Sequence, residues 1–509
     1  MAEIATFGHL FLHSLSFWWV IVPSVFLGMI VGALPGFSAA NTIIVLLPLT
    51  LAMPVEAGLI FMIAIYCSSH MGAGIPAILV NIPGTAGAAA TPLDGYPMAK
   101  KGKGQQALAI SFIASCLGGL LTTIIALFAM PLLARVGFYM HSVELIVVML
   151  FGISLIATIA SDDPWKGLIA GFFGLMIGFI GSDPVYETPR ATFGFLELYD
   201  GVPIIPALVG LFAVSEAFLI MEQSAIVSEK DQANITHGSW AATFEGMTMA
   251  LTRWWHIVWT SIIGLIVGVI PGAGASIACF VAYQQSRSFS KTPELYTTGH
   301  PEGLIAPEAA NNGVTSGTMV PLLTLGIPGG ETAAIMMIVL QYHGVNFGPA
   351  LFQLHPELGY GVFTAMTATY LLMLATALPI ARYMSHVTMV PIAYLVPLIL
   401  AFSLLGAFVP REYMFDIGLA VVFGVIGYIA RKTDYHVAAI LIGVILGPLM
   451  ERYFLLALKE SDGDIMVLFS STIGNVLWVA LIISLFMPTI LAKWRARSGA
   501  ADIALESKS

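Results

Sequence analysis

Apolar runs of about 20 residues, the length an α-helix needs to cross a hydrocarbon core of about 30 Å, recur along this chain from Phe17 to Met487. Nothing else restricts the fold as strongly, because backbone in lipid must satisfy its own polar groups, and only helices and closed barrels do so. Barrel strands show short alternating segments, whereas these runs are continuous. Only 10% of the 509 residues are charged, against roughly 25% in soluble domains, so the chain cannot cover a water-facing surface. The expected class is an all-α polytopic membrane protein, with the lipid bilayer as its solvent and about 10–12 spans plus hairpins. The first 30 residues hold no basic stretch before an apolar one, and no cleavable signal peptide is expected. Cys67, Cys116 and Cys279 stand alone without metal-ligand spacing, and read as packing residues.

Two blocks of sequence occur twice. "VGALPG" at 31–36 returns as "VGVIPG" at 267–272, and "PAILVNIPGTAGAAA" at 76–90 returns as "PLLTLGIPGGETAAI" at 321–335. The displacements are 236 and 245 residues, with the extra nine inside "QQSRSFSKTPELYTTGHPEG" at 284–303. A duplication with Gly/Pro-interrupted helices in matching positions points to a secondary transporter and to its binding site. Lys100, Lys101 and Lys103 follow the first IPG block, while 341–359 after the second has no Lys or Arg; Arg287 and Lys291 follow the second Pro-Gly break, while 51–58 after the first has none. Basic loops favour the cytoplasm, so equivalent loops fall on opposite sides and the repeats are expected to be inverted.

Tracing spans from Lys100 gives a periplasmic segment 1–16, a first repeat 17–220, a cytoplasmic linker 221–253 and a second repeat 254–450. An extra span at 451–492 and a cytoplasmic tail at 493–509 complete the chain. Arg135, Arg190, Arg411 and Arg452 fall outside in this trace and run against the rule. From Phe17 to Pro54, and from Trp254 to Gln285, the chain enters and leaves on one side. Each segment is expected to be a re-entrant hairpin turning at its Pro-Gly pair.

Four breaks result: Pro35-Gly36, Pro83-Gly84, Pro271-Gly272 and Pro328-Gly329. A helix restarting after each would present unpaired N–H groups and a positive dipole end, which suit a carboxylate or phosphate. The preceding half-helix would offer free carbonyls to a cation. The expected substrate-binding residues are Gly36, Ser38, Asn41, Asn81, Gly84, Thr85, Gly272, Gly274, Ser276, Gly329 and Gly330. Glu308, Asn311, Asn312 and Thr315 are the expected cation-coupling group, since an intramembrane carboxylate is costly and marks function. Ile277 stands where Asn41 stands in the first half, so an asymmetric site is expected. "PGAGASIA" at 271–278 lacks a preceding strand and a full GxGxxG, and no GxxxxGK[ST], HExxH or GxSxG occurs. The expectation is therefore no enzyme, no cofactor beyond a coupling ion, and no nucleic-acid partner. Trp254, Trp255 and Trp259 beside Arg253 fit an interfacial aromatic belt.

Taken together, "GALPG…LLPLT", "NIPGTAGAAATPLDGYPMAKKGKGQQAL", "GVIPGAGAS…AYQQSRSFSK", "EGLIAPEAANNG" and "LTLGIPGGETAAIMM" resemble the large membrane subunit of the tripartite tricarboxylate transporters, the TctA family. The resemblance runs from about Gly28 to Pro349. It implies a multi-pass transporter of the bacterial inner membrane for tri- or dicarboxylates such as citrate. It further implies a periplasmic solute-binding protein and a small four-helix membrane subunit as partners, with Na⁺ or H⁺ as coupling ion. Glu331 departs from the pattern, because a carboxylate there would repel an anion unless neutralised. A passive anion channel and an integral-membrane enzyme are the alternatives. Conductance without saturation would mark the first, and product formation in detergent the second.

Overall fold

The computed structural model describes residues 2–34, 38–137, 139–159, 164–183, 185–222, 239–345, 347–384 and 392–483. The first half forms α1 (Ala2–Ser16), α2 (Trp18–Gly32), α3 (Ala39–Val45), α4 (Leu47–Ala52), α5 (Val55–Gly72), α6 (Gly74–Val80), α7 (Pro92–Met98), α8 (Gly104–Gly137), α9 (Ser142–Ile159), α10 (Pro164–Gly178) and α11 (Ile204–Met221). The second forms α12 (Trp240–Leu251), α13 (Trp254–Val269), α14 (Gly274–Phe289), α15 (Pro301–Leu325), α16 (Glu331–Tyr342), α17 (Pro349–Leu354), α18 (Pro356–Met384), α19 (Ile392–Phe408), α20 (Met414–Lys432), α21 (Val437–Glu460) and α22 (Thr472–Ile483). Among the described residues the only sheet pairs Gly181–Ser182 with Pro189–Arg190, antiparallel.

Six described helices are long and apolar enough to cross a bilayer, or eight if each sharply bent pair is one span. The chain is a polytopic all-α membrane protein. The number falls below ten to twelve because the described parts of α9, α10, α16, α19 and α22 are apolar but of 10–17 residues. α15 is too polar to qualify, carrying Glu302, Glu308, Asn311 and Asn312.

The chain divides into two compact units, residues 1–139 with 203–432, and residues 140–202 with 433–509. In the first unit, helix contacts repeat between the halves. A Cβ on Gly32 of α2 would lie 2.2 Å from the Ser69 carbonyl oxygen of α5; on Gly268 of α13 it would lie 2.8 Å from that of Val314 on α15. Likewise Gly72 meets the Met29 carbonyl at 2.5 Å and Gly317 that of Leu265 at 2.6 Å. These pairs are displaced by 236 residues on one helix and 245 on the other, the displacements of the sequence blocks. Glycine lets such backbones approach closely where lipid supplies no hydrophobic drive. α1 meets α2 at a 68° bend, and α12 meets α13 at 70°.

The equivalent helices α5–α6 and α15 lie against each other. Tyr66 bonds Thr318, His70 bonds Asn311, and Gly74 faces Glu308, so numbering rises on one helix as it falls on the other. Duplicated membrane helices that pass antiparallel have the relation inverted repeats require.

Three-helix groups built around glycine contacts also recur. In the first unit α11 packs with α19 and α20, where Gly210 meets the Ala420 carbonyl and Gly424 meets Val214. In the second, α21 packs with α9 and α10, where Gly443 meets the Gly171 carbonyl and Gly174 that of Ile440. Each group takes two consecutive helices from one half and a third from the other.

Several boundaries differ from expectation. Residues 2–16 form a helix packed on α18, with Ser14 3.1 Å from Thr364 and the Phe7 and Tyr360 rings 5.2 Å apart. The end of the supposed linker is α12, whose Gly246 lies against the Gln106 backbone of α8. α21 continues through Arg452 to Glu460. The second hairpin forms as expected: His256 and Ser286 join its open ends at 2.8 Å, and the Trp259 and Phe289 rings lie 6.0 Å apart. In the first hairpin Pro35 and Gly36 lie outside the described residues. Its second limb is split into α3 and α4, because Pro48 has no N–H with which to continue the α3 ladder.

Candidate functional site

Helix ends expose unpaired backbone groups, and two of them match here. α6 ends at Asn81 with φ 61°, α15 at Gly326 with φ 73°, both left-handed. The next N–H then reaches back in each case, Ile82 to Pro76 and Ile327 to Pro321, both at 3.3 Å. Each bond reaches back six residues and closes a left-handed helix end just before an Ile-Pro-Gly triplet. After the second triplet the chain restarts as α16, with Gly330 as an extended N-cap. After the first it forms only a 3-10 turn, Ala86–Ala88. The expected helix start at Thr85 is thus corrected. Pro92 cannot donate to a ladder running on from that turn, and Gly87 is held close to Asn311, where a Cβ would stand 2.3 Å from Oδ1.

The tip of the second hairpin is built on Gly272 (φ 82°) and Gly274 (φ 66°), conformations that glycine adopts at little cost. The Gly272 N–H donates to the Gly329 carbonyl at 3.2 Å, tying the tip to the second triplet. Ser276 stands in the first turn of α14. In the first half Ser38 caps α3, its Oγ accepting from the Asn41 N–H at 3.3 Å. Gly84 lies so close to the Gly32 carbonyl that a Cβ would stand 2.2 Å from the oxygen. Asn41 Oδ1 and Thr85 Oγ1 are buried with no partner among the described residues. Buried polar atoms in native proteins are nearly always paired, so two orphans beside broken helices are open to a ligand.

The four residues expected to couple a cation are all fully buried on α15, but they divide by partner. Glu308 accepts from Thr91 Oγ1 at 2.5 Å and Ser115 Oγ at 2.9 Å, with Gly74 and Ser111 beside it. Asn311 engages His70. Asn312 and Thr315 instead meet the Tyr370 hydroxyl, 2.7 Å from Thr315 Oγ1 and 3.3 Å from Asn312 Oδ1. Because α15 is continuous through Glu308, most of its carbonyls belong to the helix ladder; the exceptions are those at its Leu325 end and those of Gly303 and Gly317, which Pro307 and Pro321 have no N–H to meet. Among the described residues no three His, Cys, Asp or Glu side chains converge on a metal-sized site.

Sequence reasoning missed His70, Tyr66, Tyr370 and the serines of α8. Aligning α5 on α15 at the 245-residue displacement would have placed Tyr66 opposite Asn311 and His70 opposite Thr315. It also missed Asp94. This fully buried carboxylate accepts from the backbone N–H groups of Gly299 and His300 at 2.8 and 2.7 Å, and from the Tyr283 hydroxyl at 2.9 Å. Lys101 Nζ donates to the Thr298 carbonyl at 2.6 Å. Together they clamp the loop before α15 onto α7 and the end of the second hairpin, on the side of Arg287 and Lys291.

Residues 18–442 match the family model of the "Tripartite tricarboxylate transporter TctA family". An "Uncharacterized 52.8 kDa protein in TAR-I ttuC' 3'region" of Agrobacterium vitis is 32% identical over 482 residues, covering 93% of this chain and 94% of the relative. An "Uncharacterized protein in TAR-II ttuC' 3'region" of the same organism is 31% identical over 233 residues, 45% of this chain and 96% of the relative. No solved structure matches.

Proposed function

This chain belongs to the tripartite tricarboxylate transporter TctA family, and from that premise we propose that it imports tri- or dicarboxylates by cation-coupled secondary transport. Substrate reaches it from a periplasmic solute-binding protein, and a small membrane subunit completes the assembly in the bacterial inner membrane. The observation that carries this reading is the meeting of both Ile-Pro-Gly segments and the Pro-Gly-tipped second hairpin at a buried polar cluster within one unit. Residues 2–99, 254–286 and 292–381 contain no Lys or Arg, so the anion is held by N–H groups, hydroxyls and carboxamides. Asn41 Oδ1 and Thr85 Oγ1 face a hydroxyl-bearing part of the substrate, while Glu308 and Asn311 serve the coupling ion. On the preference of basic loops for the cytoplasm, this reading has Lys101 on the cytoplasmic side and Gly348 on the periplasmic side.

Uptake into membrane vesicles tests this, using citrate, malate and succinate with and without the binding protein, Na⁺ and a pH gradient. Saturable uptake that needs both the binding protein and an ion gradient is expected. Unsaturable, gradient-independent flux would instead establish the passive channel.

A further inference from the structure

We infer that His70 is the group that receives a substrate carboxylate, and that it does so only when it has taken up a proton. This rests on the transport reading above, but takes the proton as the coupling ion and moves its site from Glu308 to His70, with Asn311 as the partner of the ring.

The first observation is placement. From Ala57 to Val80 every residue of α5 and α6 is buried except His70, which is partly open. The imidazole therefore faces a space that its neighbours do not reach. Thr85, Ala275 and Ser276 are likewise partly open. Asn311 ties His70 to these segments, since its side chain and Ala275 both lie against Gly87.

The second observation fixes the tautomer. Asn311 Nδ2 donates to the His70 backbone carbonyl at 3.0 Å, and a carbonyl can only accept. The amide is thereby oriented with Oδ1 toward the ring, 2.8 Å from Nδ1. Oδ1 can only accept, so Nδ1 carries the hydrogen. In the neutral ring Nε2 is then a lone pair, and it has no partner among the described residues. A lone pair repels a carboxylate. Adding one proton turns Nε2 into a charged donor, which binds a carboxylate strongly. Proton and substrate thus bind together: the N–H bond forms at Nε2 as the anion arrives, and breaks as both leave on the opposite side.

The surroundings allow this. Packed against α5, the helices α2, α3, α4 and α6 carry no titratable side chain. α15 brings Glu308, which is held by Thr91 and Ser115 over Gly74; α18 brings Tyr370, bonded to Thr315; α8 brings Cys116, whose thiol lies 3.8 Å from Met71 sulfur. Glu331 opens α16, and Tyr66 of α5 itself sets its ring edge against the imidazole, 5.0 Å between centroids. No cation among them competes with the proton.

The test uses vesicles holding the full transporter and its binding protein, with succinate or malate as probe, from about pH 6 to 8, where histidine titrates. Wild-type KM should rise with pH by up to about tenfold per unit, the slope of one proton. His70→Gln should flatten that dependence and raise KM at pH 6 by about tenfold or more. Asn311→Asp sets a carboxylate on the Nδ1 hydrogen and should move the rise in KM upward by about one pH unit or more; it carries the test if the glutamine variant does not reach the membrane. A His70→Gln transporter with wild-type KM and slope, or an unshifted Asn311→Asp profile, would overturn the inference. Failure of the transport reading is distinct, because wild type itself would then show no uptake.

Discussion

Single residues decide whether the breaks serve transport or packing. Gly272 adopts φ 82° and its N–H reaches Gly329, so a β-branched side chain there is strained by on the order of 1–2 kcal/mol. Gly272→Val should leave membrane abundance near normal while lowering the uptake rate to about a tenth or less. Asn41→Ala, which removes an orphaned buried oxygen, should raise the transport KM by several-fold with little change in abundance. Both are checked by immunoblot-normalised uptake in one vesicle preparation, and normal kinetics in both variants would reduce the site to a packing feature. At this scale the sequence was readable where polarity stood out. Glu308 with its two asparagines is conspicuous in an apolar chain, and all three are buried in the site region. His70 was not, because one histidine in an apolar helix reads as ordinary core until its partner is known. That partner lies 241 residues away.

Elements were more legible than the contacts between them. The break positions and the second hairpin follow from Pro-Gly pairs within long apolar runs, and both triplets end their helices as glycine and asparagine chemistry allows. What the pattern did not reveal was which restart would be helical: α16 is, whereas Ala86–Ala88 is a single 3-10 turn. Alanine-rich sequence favours helix locally, but Pro92 and the closeness of Gly87 to Asn311 override it. The Asp94 clamp was equally hidden, since three of its partners lie some 200 residues downstream. It holds the loop before α15 by two backbone N–H bonds. Asp94→Ala should therefore speed amide exchange at Gly299 and His300 by about tenfold or more, a buried bond being worth roughly 1–3 kcal/mol once its partner is removed. Hydrogen exchange read by mass spectrometry over 290–304 checks this, and unchanged protection would show that the loop is held by other contacts.

At the scale of the whole molecule, the duplication read from two short blocks reappears as matching bends, matching helix ends and matching glycine contacts. The antiparallel passage of α5–α6 and α15 accords with the inversion argued from basic loops. Cysteines introduced at Lys101 and Gly348 should label from opposite faces of sealed vesicles, 348 from the periplasmic face only; labelling of both from one face would remove the inverted arrangement. The compact units, by contrast, could not be read from the repeats, because they do not follow them. α9 and α10 find their third helix in α21, and α19 and α20 find theirs in α11. Each half therefore lends an arm to the other, as two copies of one chain do when they swap a segment on dimerising. A cut between the halves would part each helix pair from the third helix it packs on. The two copies are bound by ancestry and also by mutual packing, each closing on a helix that the other supplies.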